Sequence, residues 1–355
     1  MSIRTILALA CSSTAIALAC VSTGCFAPRY LSQAAYGELE MITSARPISD
    51  VINDPDGDEG TRLLLLEVDG IKAYAQEVGL DLAGNYGKYI ELDRSAAVYF
   101  IAASKPLSFE PRVWCWPIVG CFPNLSWFSL EDAEDHARQL QAEGWETYVR
   151  GAGAFSTGGW FRDPVVSSMF REGENVYGDL VNVILHELMH VTVLVRDQAY
   201  FNESIAAYTA DGMAATYLAR RFGPESFQAR VYQLDLEQQA TFGQILWKVY
   251  AELEAVYQSP ASDAEKRTRK QAIIDRLMTE VPFTRRPNNA ALIGFRTYNT
   301  GYEDFETLRV ACDGSWPRFL AAVKSIREGD FPQPLAEDFA PAIQPLVAAG
   351  CKPRR

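Results

Sequence analysis

Two of the three histidines in this chain lie four residues apart, at His186 and His190, and Glu187 directly follows the first of them. On a helix this spacing puts both imidazoles on one face, where they can bind the same metal ion. Glu187 then lies beside that ion and can take a proton from a water molecule that the ion activates. The spacing therefore predicts one zinc ion per chain, with His186 and His190 as ligands and Glu187 as general base.

The residues around this HExxH motif predict that it lies on a buried helix. Between Val183 and Val195 the only polar residue outside the motif is Thr192. A carboxylate buried among apolar residues is costly unless a cation or hydrogen-bond donors compensate its charge. We therefore interpret Glu187 as a residue whose burial a metal ion makes favourable.

A third ligand is expected from the helix that follows. Glu203 lies at its start, within Phe201–Ser204, and a Glu in that place completes the His₂Glu set of gluzincin-type zinc sites. A metzincin is excluded, because Val193 and Arg196 stand where that class needs Gly and His. Asp197 is the alternative third ligand.

Two further residues are predicted to support the metal site. Asp211, about two turns beyond Glu203, is placed to accept a hydrogen bond from a ligand histidine, although an exposed helix charge is the alternative. A donor to the developing oxyanion must be Tyr or Arg, since no His follows His190. Tyr298 is our candidate for that donor.

The region around Tyr298 also offers competing interpretations. A helix is expected to start at Asn288 or Asn289, which are good N-cap residues, and Tyr298 lies in its third turn. A core tyrosine with a satisfied hydroxyl is the plain alternative. Arg296 and Tyr208 are the other candidate donors.

The elements that must position these residues are mainly helical, with strands expected before the motif. Strands are predicted over residues 96–103 and 145–156, and helices over 30–45, 61–78, 129–144 and most of the chain after 177. Strand 145–156 could pair with an extended substrate, or could simply complete a sheet. His136, on an acidic helix, is expected at the surface. The fold class is α+β, mainly α, with a small sheet before the HExxH helix.

The N-terminus reads as a targeting segment. Arg4 is the only charged residue before Cys25, an apolar stretch runs from Ile6 to Val21, and small residues precede the cysteine. This pattern predicts a lipoprotein signal peptide over residues 1–24 with lipid on Cys25, and an ordinary secretory signal is the alternative. Residues 25–355 are then expected to form a single domain. Phe26 after the lipidated cysteine favours the outer membrane.

Export would place the remaining cysteines in an oxidising compartment. Four cysteines remain, Cys115, Cys121, Cys312 and Cys351. Their even number predicts two disulfides, and three ways of pairing them are possible. We favour Cys115–Cys121 and Cys312–Cys351. The net charge is −12, from 33 Lys and Arg against 45 Asp and Glu, and the sequence has no basic stripe. These two features exclude nucleic-acid binding as the main activity.

The chain resembles a bacterial lipoprotein family of predicted zinc-dependent aminopeptidases with a zincin-like fold. The similar stretches, which extend through most of the chain after the signal, are 45–49, 114–121, 154–157, 160–164, 186–190, 201–204 and 287–290. The resemblance implies His186, His190 and Glu203 as zinc ligands and Glu187 as catalytic base. It also places an Asn-Asn-Ala motif with a following Tyr in the family pattern.

Together these features predict a zinc metallopeptidase, of aminopeptidase type, held at the envelope by a lipid anchor and facing the periplasm. Its partners would be a peptide or protein substrate and the membrane. Gluzincin aminopeptidases carry an acid that holds the free amine, and the comparable stretch here, Gly153–Ser156, has none. The alternatives are an inactive, chaperone-like envelope protein on the same fold and a zinc hydrolase of non-peptide amides.

Overall fold

The computed structural model describes residues 26–116 and 120–354. The chain divides into two compact units, Met1–Ser44 and Ala45–Arg355. The described part of the first unit is one helix, α1 (Phe26–Ser44). The expected signal peptide and the lipidation of Cys25 lie outside the described residues, and the single domain from 25 to 355 stays a prediction.

The second unit is mainly helical, and every strand in its described part precedes the helix that carries the HExxH motif. Its helices are α2 (Ile48–Ile52), α3 (Glu59–Val78), α4 (Leu130–Ala142), α5 (Val176–Thr192), α6 (Ala199–Phe222), α7 (Phe227–Gln258), α8 (Asp263–Glu280), α9 (Asn289–Asn299), α10 (Tyr302–Ala311), α11 (Trp316–Val323) and α12 (Ala340–Ala348). Its strands are β1 (Arg46–Pro47), β2 (Lys88–Ile90), β3 (Val98–Ser104), β4 (Trp114–Trp116), β5 (Gly120–Phe122), β6 (Asn124–Trp127), β7 (Glu146–Ala152) and β8 (Val165–Val166). The α+β, mainly α expectation is confirmed at this level, and the zincin-like fold stays a prediction.

The strands form three small sheets. In one, β3 lies between β6 and β7 and is antiparallel to both. In the second, β2 pairs antiparallel with β1 and parallel with β8. The third is the hairpin of β4 and β5. Helix α9 packs against β3 and β7, so the largest sheet supports the helix that carries Tyr298.

Helices α5 and α6 pack against each other and form the centre of the unit. Leu180, Ile184 and Leu188 of α5 are fully buried, as their spacing of about one turn requires. Helix α6 ends at Phe222 because Gly223 adopts a left-handed φ of +99° and Pro224 follows it. The burial of α5 that the apolar sequence predicted is therefore confirmed.

Strand β7 is shorter than the sequence suggests. It ends at Ala152, so the strand expected up to Ser156 is wrong over its last four residues. The chain turns there around Asp163, whose carboxylate accepts hydrogen bonds from the backbone N–H and the hydroxyl of Thr157. Gly158 and Gly159 then take positive φ values, which a strand cannot contain.

The expected surface position of His136 is also wrong. Its side chain is buried, and its ring centroid lies 6.1 Å from that of Trp114 and 5.6 Å from that of Trp127. Glu134, beside it on α4, is exposed, while the opposite face of the helix packs against β3, β6 and β7.

Both favoured disulfides are present. Cys115–Cys121 closes the β4–β5 hairpin and Cys312–Cys351 ties the C-terminal tail to the end of α10. Among the described residues, no helix has both the length and the apolar character that crossing a bilayer requires.

A buried ion pair joins β7, α8 and α9. The Lys270 ammonium donates to both carboxylate oxygens of Glu146, at 2.6 and 2.7 Å, and to the Pro106 carbonyl. Glu146 also accepts from the backbone N–H of Asn289, and the Asn289 side chain accepts from the Tyr257 hydroxyl. This network fixes the start of α9 on the first residue of β7.

We predict that Lys270→Met lowers the free energy of unfolding by about 2–4 kcal/mol, because the Glu146 carboxylate and the Pro106 carbonyl lose their shared donor. The neighbouring Arg269→Met is the matched control. Arg269 pairs with Glu265 on the exposed face of α8, so its loss should cost about 0.5 kcal/mol or less. Urea denaturation at pH 7 measures both, and equal effects would contradict the assigned role of Lys270.

Candidate active site

The HExxH motif and Glu203 converge where α5 and α6 pack together. The Nε2 atoms of His186 and His190 are 3.2 Å apart. One Glu203 carboxylate oxygen lies 3.5 Å from the His186 Nε2, and the other lies 3.6 Å from the His190 Nε2. All three residues thus offer a ligand atom within 4.8 Å of one another. The structure brings together the three residues that the sequence predicts as metal ligands.

Solvent reaches the three candidate ligands but hardly reaches the candidate base. The side chains of His186, His190 and Glu203 are 15%, 11% and 26% exposed. Glu187 is buried, at 8%. An ion and a substrate can therefore approach the ligand atoms, while the carboxylate of Glu187 is largely withdrawn from water.

The charges in this cluster compensate one another. Burial raises the pKa of Glu187 against the opposing effect of the two imidazoles. Burial also acts to raise the pKa of Glu203, but the histidines beside it outweigh that effect and hold its pKa well below the usual range. Burial alone would lower the pKa of His190, yet the Glu203 charge raises it to about 9. Two carboxylates thus make this a place that stabilises positive charge.

The residues next to Glu203 fix its position. Phe201 is fully buried and contacts the rings of Phe305, Phe331 and Phe339. Asn202 is buried, and its amide group accepts from the Val195 N–H and donates to the Val195 carbonyl, at 2.9 and 2.7 Å. The Asn202 side chain therefore closes the short loop between α5 and α6 and sets the angle between the two ligand helices.

Ser204 connects Glu203 to the end of α9. Its hydroxyl donates to the Thr297 carbonyl at 2.9 Å and accepts from the Thr300 N–H at 3.2 Å. Thr297 and Thr300 lie on either side of Tyr298 in the chain. The candidate ligand Glu203 and the candidate oxyanion donor Tyr298 are therefore held by adjacent contacts.

Asp197, the alternative third ligand, is not part of the cluster. It has a left-handed φ of +58°, and its carboxylate accepts from the backbone N–H of Cys121 at 2.7 Å. Gly120 allows this approach, because a Cβ there would lie 2.6 Å from the Asp197 carboxylate oxygen. The role of Asp197 is to anchor the disulfide hairpin on the loop between α5 and α6.

Asp211 lies near the cluster without a recorded hydrogen bond to it. Its carboxylate accepts from the Asn182 amide at 2.8 Å. Burial raises the pKa of Asp211 to about 6, against the opposing effects of that hydrogen bond and of His186. Asp211 is thus close enough to influence His186 electrostatically, and its predicted support of a ligand histidine stays a prediction.

Tyr298 lies beside the cluster. Its ring centroid is 6.1 Å from that of His186, and burial raises the pKa of its hydroxyl, so the phenol is protonated at neutral pH. The other candidate donors are engaged elsewhere. Arg296 pairs with Glu337 and contacts Tyr250.

Tyr208, the remaining candidate, donates its hydroxyl hydrogen to the Glu306 carboxylate at 2.6 Å. Its ring packs against Tyr302, Phe305 and Trp316. Of the three donors considered from the sequence, Tyr298 is therefore the one whose ring contacts a candidate metal ligand.

Arg150 is a residue that the sequence analysis missed. Its guanidinium donates to the Tyr298 hydroxyl oxygen at 2.8 Å and lies 5.2 Å from the ring centroids of both Tyr298 and Phe100. Tyr298 follows Arg150 by 148 residues, and no local pattern connects them. Its place on β7, the last long strand before the motif, was the one available signal.

A family model described as "Putative aminopeptidase" matches residues 29–333. The chain belongs to this family. The matched range contains α5, α6, β7 and α9, and with them all the candidate site residues. Membership in an aminopeptidase-like family agrees with a peptidase. No curated protein and no solved structure matches the chain.

Proposed function

We propose that this protein is a zinc-dependent peptidase whose metal ligands are His186, His190 and Glu203 and whose general base is Glu187. The observation that carries the proposal is the convergence of the three ligand atoms within 4.8 Å of one another, next to a buried Glu. Family membership supports the reaction class. Aminopeptidase activity is therefore the first activity to test.

The donor set fits zinc. Two imidazoles and one carboxylate are the protein ligands of many catalytic zinc sites, which leave a fourth position for water or substrate. Tetrahedral zinc with bonds of about 2.0–2.1 Å separates its donor atoms by roughly 3.3–3.5 Å. The two Nε2 atoms are 3.2 Å apart, and each lies 3.5 or 3.6 Å from a different oxygen of Glu203, so the three side chains already surround a volume that an ion of this size could fill.

Each residue then has a defined task in hydrolysis. Bound zinc would supply a Lewis acid that polarises the scissile carbonyl and makes water acidic at neutral pH. Glu187 takes a proton from the attacking water and delivers it to the leaving amine. Because Arg150 donates to the Tyr298 oxygen, the Tyr298 hydrogen points away from Arg150 and is free to stabilise the negative charge on the carbonyl oxygen.

We also propose that the protein acts in the cell envelope. The signal-like N-terminus ends at Cys25, and lipid on that residue would hold the enzyme at the membrane, facing the periplasm and most favourably at the outer membrane. The two disulfides support this compartment, because disulfides persist in oxidising surroundings.

The first prediction concerns the metal. The wild-type chain should purify with one zinc per chain, and His186→Ala should reduce the zinc content to near zero, because two ligands bind the ion far more weakly than three. Asp197→Asn is the control and should keep its zinc. Metal analysis by mass spectrometry measures all three proteins. A folded wild-type protein without stoichiometric zinc would refute the proposal.

The second prediction concerns the base. Glu187→Gln should retain zinc but lower kcat by about 10³-fold or more, because the amide cannot take the proton from water. Glu225→Gln is the control, since that carboxylate is exposed and pairs with Arg230. Cleavage of a defined peptide library, analysed by mass spectrometry, gives both rates. Near-normal turnover in Glu187→Gln would remove it from this role.

The third prediction concerns Tyr298. Tyr298→Phe should lower kcat by about 10²-fold with unchanged zinc content, since it loses one hydrogen bond to the oxyanion. Tyr208→Phe removes a hydroxyl that bonds to Glu306 instead, and its kcat should stay within about twofold of wild type. An unchanged kcat in Tyr298→Phe would show that its hydroxyl does not act in the reaction.

A further inference from the structure

Arg150 is a cation beside the candidate active site that no carboxylate neutralises. Among residues 26–116 and 120–354, no Asp or Glu forms an ion pair with it, and its recorded side-chain hydrogen bond goes to Tyr298. Arg150 is partly buried, and charged groups that are withdrawn from water are generally paired. The hydrogen bond to Tyr298 uses one of the five N–H donors of the guanidinium.

Two aromatic rings hold this guanidinium in place. It lies 5.2 Å from the ring centroids of Phe100 and Tyr298, and its stem starts on β7, the strand next to β3. A fixed planar guanidinium with free N–H groups is suited to bind a carboxylate through two parallel hydrogen bonds. Arg150 therefore has the chemistry and the rigidity of an anion-binding residue.

The acidic residues around the site are already engaged. Glu203 faces His186 and His190, and Asp163 accepts the hydroxyl and backbone N–H of Thr157. Asp211 accepts from the Asn182 amide, and the proposed reaction needs Glu187 as a base. A substrate ammonium group would find no uncommitted carboxylate among these residues.

A carboxylate for this guanidinium can come from the substrate. Every linear peptide with a free end carries one whatever its sequence, at its C-terminus, and a fixed guanidinium beside the proposed reaction site is suited to bind it.

We propose that Arg150 binds the free C-terminal carboxylate of the substrate, so that the enzyme removes residues from the C-terminal end of short peptides. The inference rests on the proposed peptidase function and replaces the aminopeptidase specificity with a specificity for the C-terminal end. Tyr298 contacts both the guanidinium, through its hydroxyl, and the His186 ring, so Arg150 lies next to the proposed reaction site.

The test uses one peptide sequence in four forms, with the N-terminus free or acetylated and the C-terminus free or amidated. Amidation should lower kcat/KM of the wild-type enzyme by about 10- to 100-fold, because a charge-assisted hydrogen-bond pair is lost. Acetylation should change it by less than about threefold. A dependence on the free amine instead of the free carboxylate would overturn the inference.

Arg150→Gln separates carboxylate binding from support of Tyr298. It should lower kcat/KM for the peptides with a free C-terminus to the values of the amidated peptides. Tyr298→Phe, in contrast, should lower kcat/KM for all four peptides by the same factor. Arg150→Lys should restore part of the preference, since it keeps the charge without the planar fork. Equal loss on all four peptides in Arg150→Gln would assign Arg150 to Tyr298 alone and refute carboxylate binding.

Binding measurements keep the inference testable if no peptide is cleaved. Calorimetry on Glu187→Gln, with and without Arg150→Gln, gives Kd for the free and amidated peptides. We expect about 10- to 100-fold tighter binding of the free form, lost in the double variant. Equal Kd values would refute the role of Arg150 whatever the activity, whereas absent hydrolysis with selective binding would refute only the peptidase proposal.

Discussion

The placement of two carboxylates beside two imidazoles is the constraint on which the rest of this structure depends. Glu187 is buried and Glu203 is partly buried, on two helices whose buried residues are mostly apolar. Such charges are tolerated only where compensating groups are held at fixed distances. The loop locked by Asn202, the aromatic cluster around Phe201 and the hairpin anchored by Asp197 all serve to keep α5 and α6 in that arrangement.

A second set of contacts determines what faces the metal ligands. The buried pair of Lys270 and Glu146 fixes the start of α9 on the first residue of β7. Arg150, further along β7, and Tyr298, near the end of α9, meet at the site as a result. The proposed site thus has a candidate ligand side, built from two consecutive helices, and a candidate substrate side, built from segments far apart in the chain.

This division explains what could be predicted from the sequence. His186 and His190 share a face because a helix repeats locally, and Glu203 follows after a short loop, so neighbouring residues determine the ligand set. Arg150 could not be identified, because its partner lies in another element that only the folded sheet brings near. His136 was assigned wrongly because its acidic neighbours indicate an exposed helix, whereas the rings of Trp114 and Trp127 cover the face on which it lies. The end of β7 depends on Asp163, a residue outside the strand pattern.

Ser204 connects the two sides of the proposed site through hydrogen bonds. Its hydroxyl bridges Glu203, its neighbour in the chain, to the backbone on both sides of Tyr298. In the proposed enzyme, an ion held by Glu203 and a substrate held by Tyr298 would both contact residues that Ser204 connects. By thermodynamic reciprocity, the factor by which zinc strengthened substrate binding would equal the factor by which substrate strengthened zinc binding. A scarce metal would then be retained best by the molecules that are engaged with substrate.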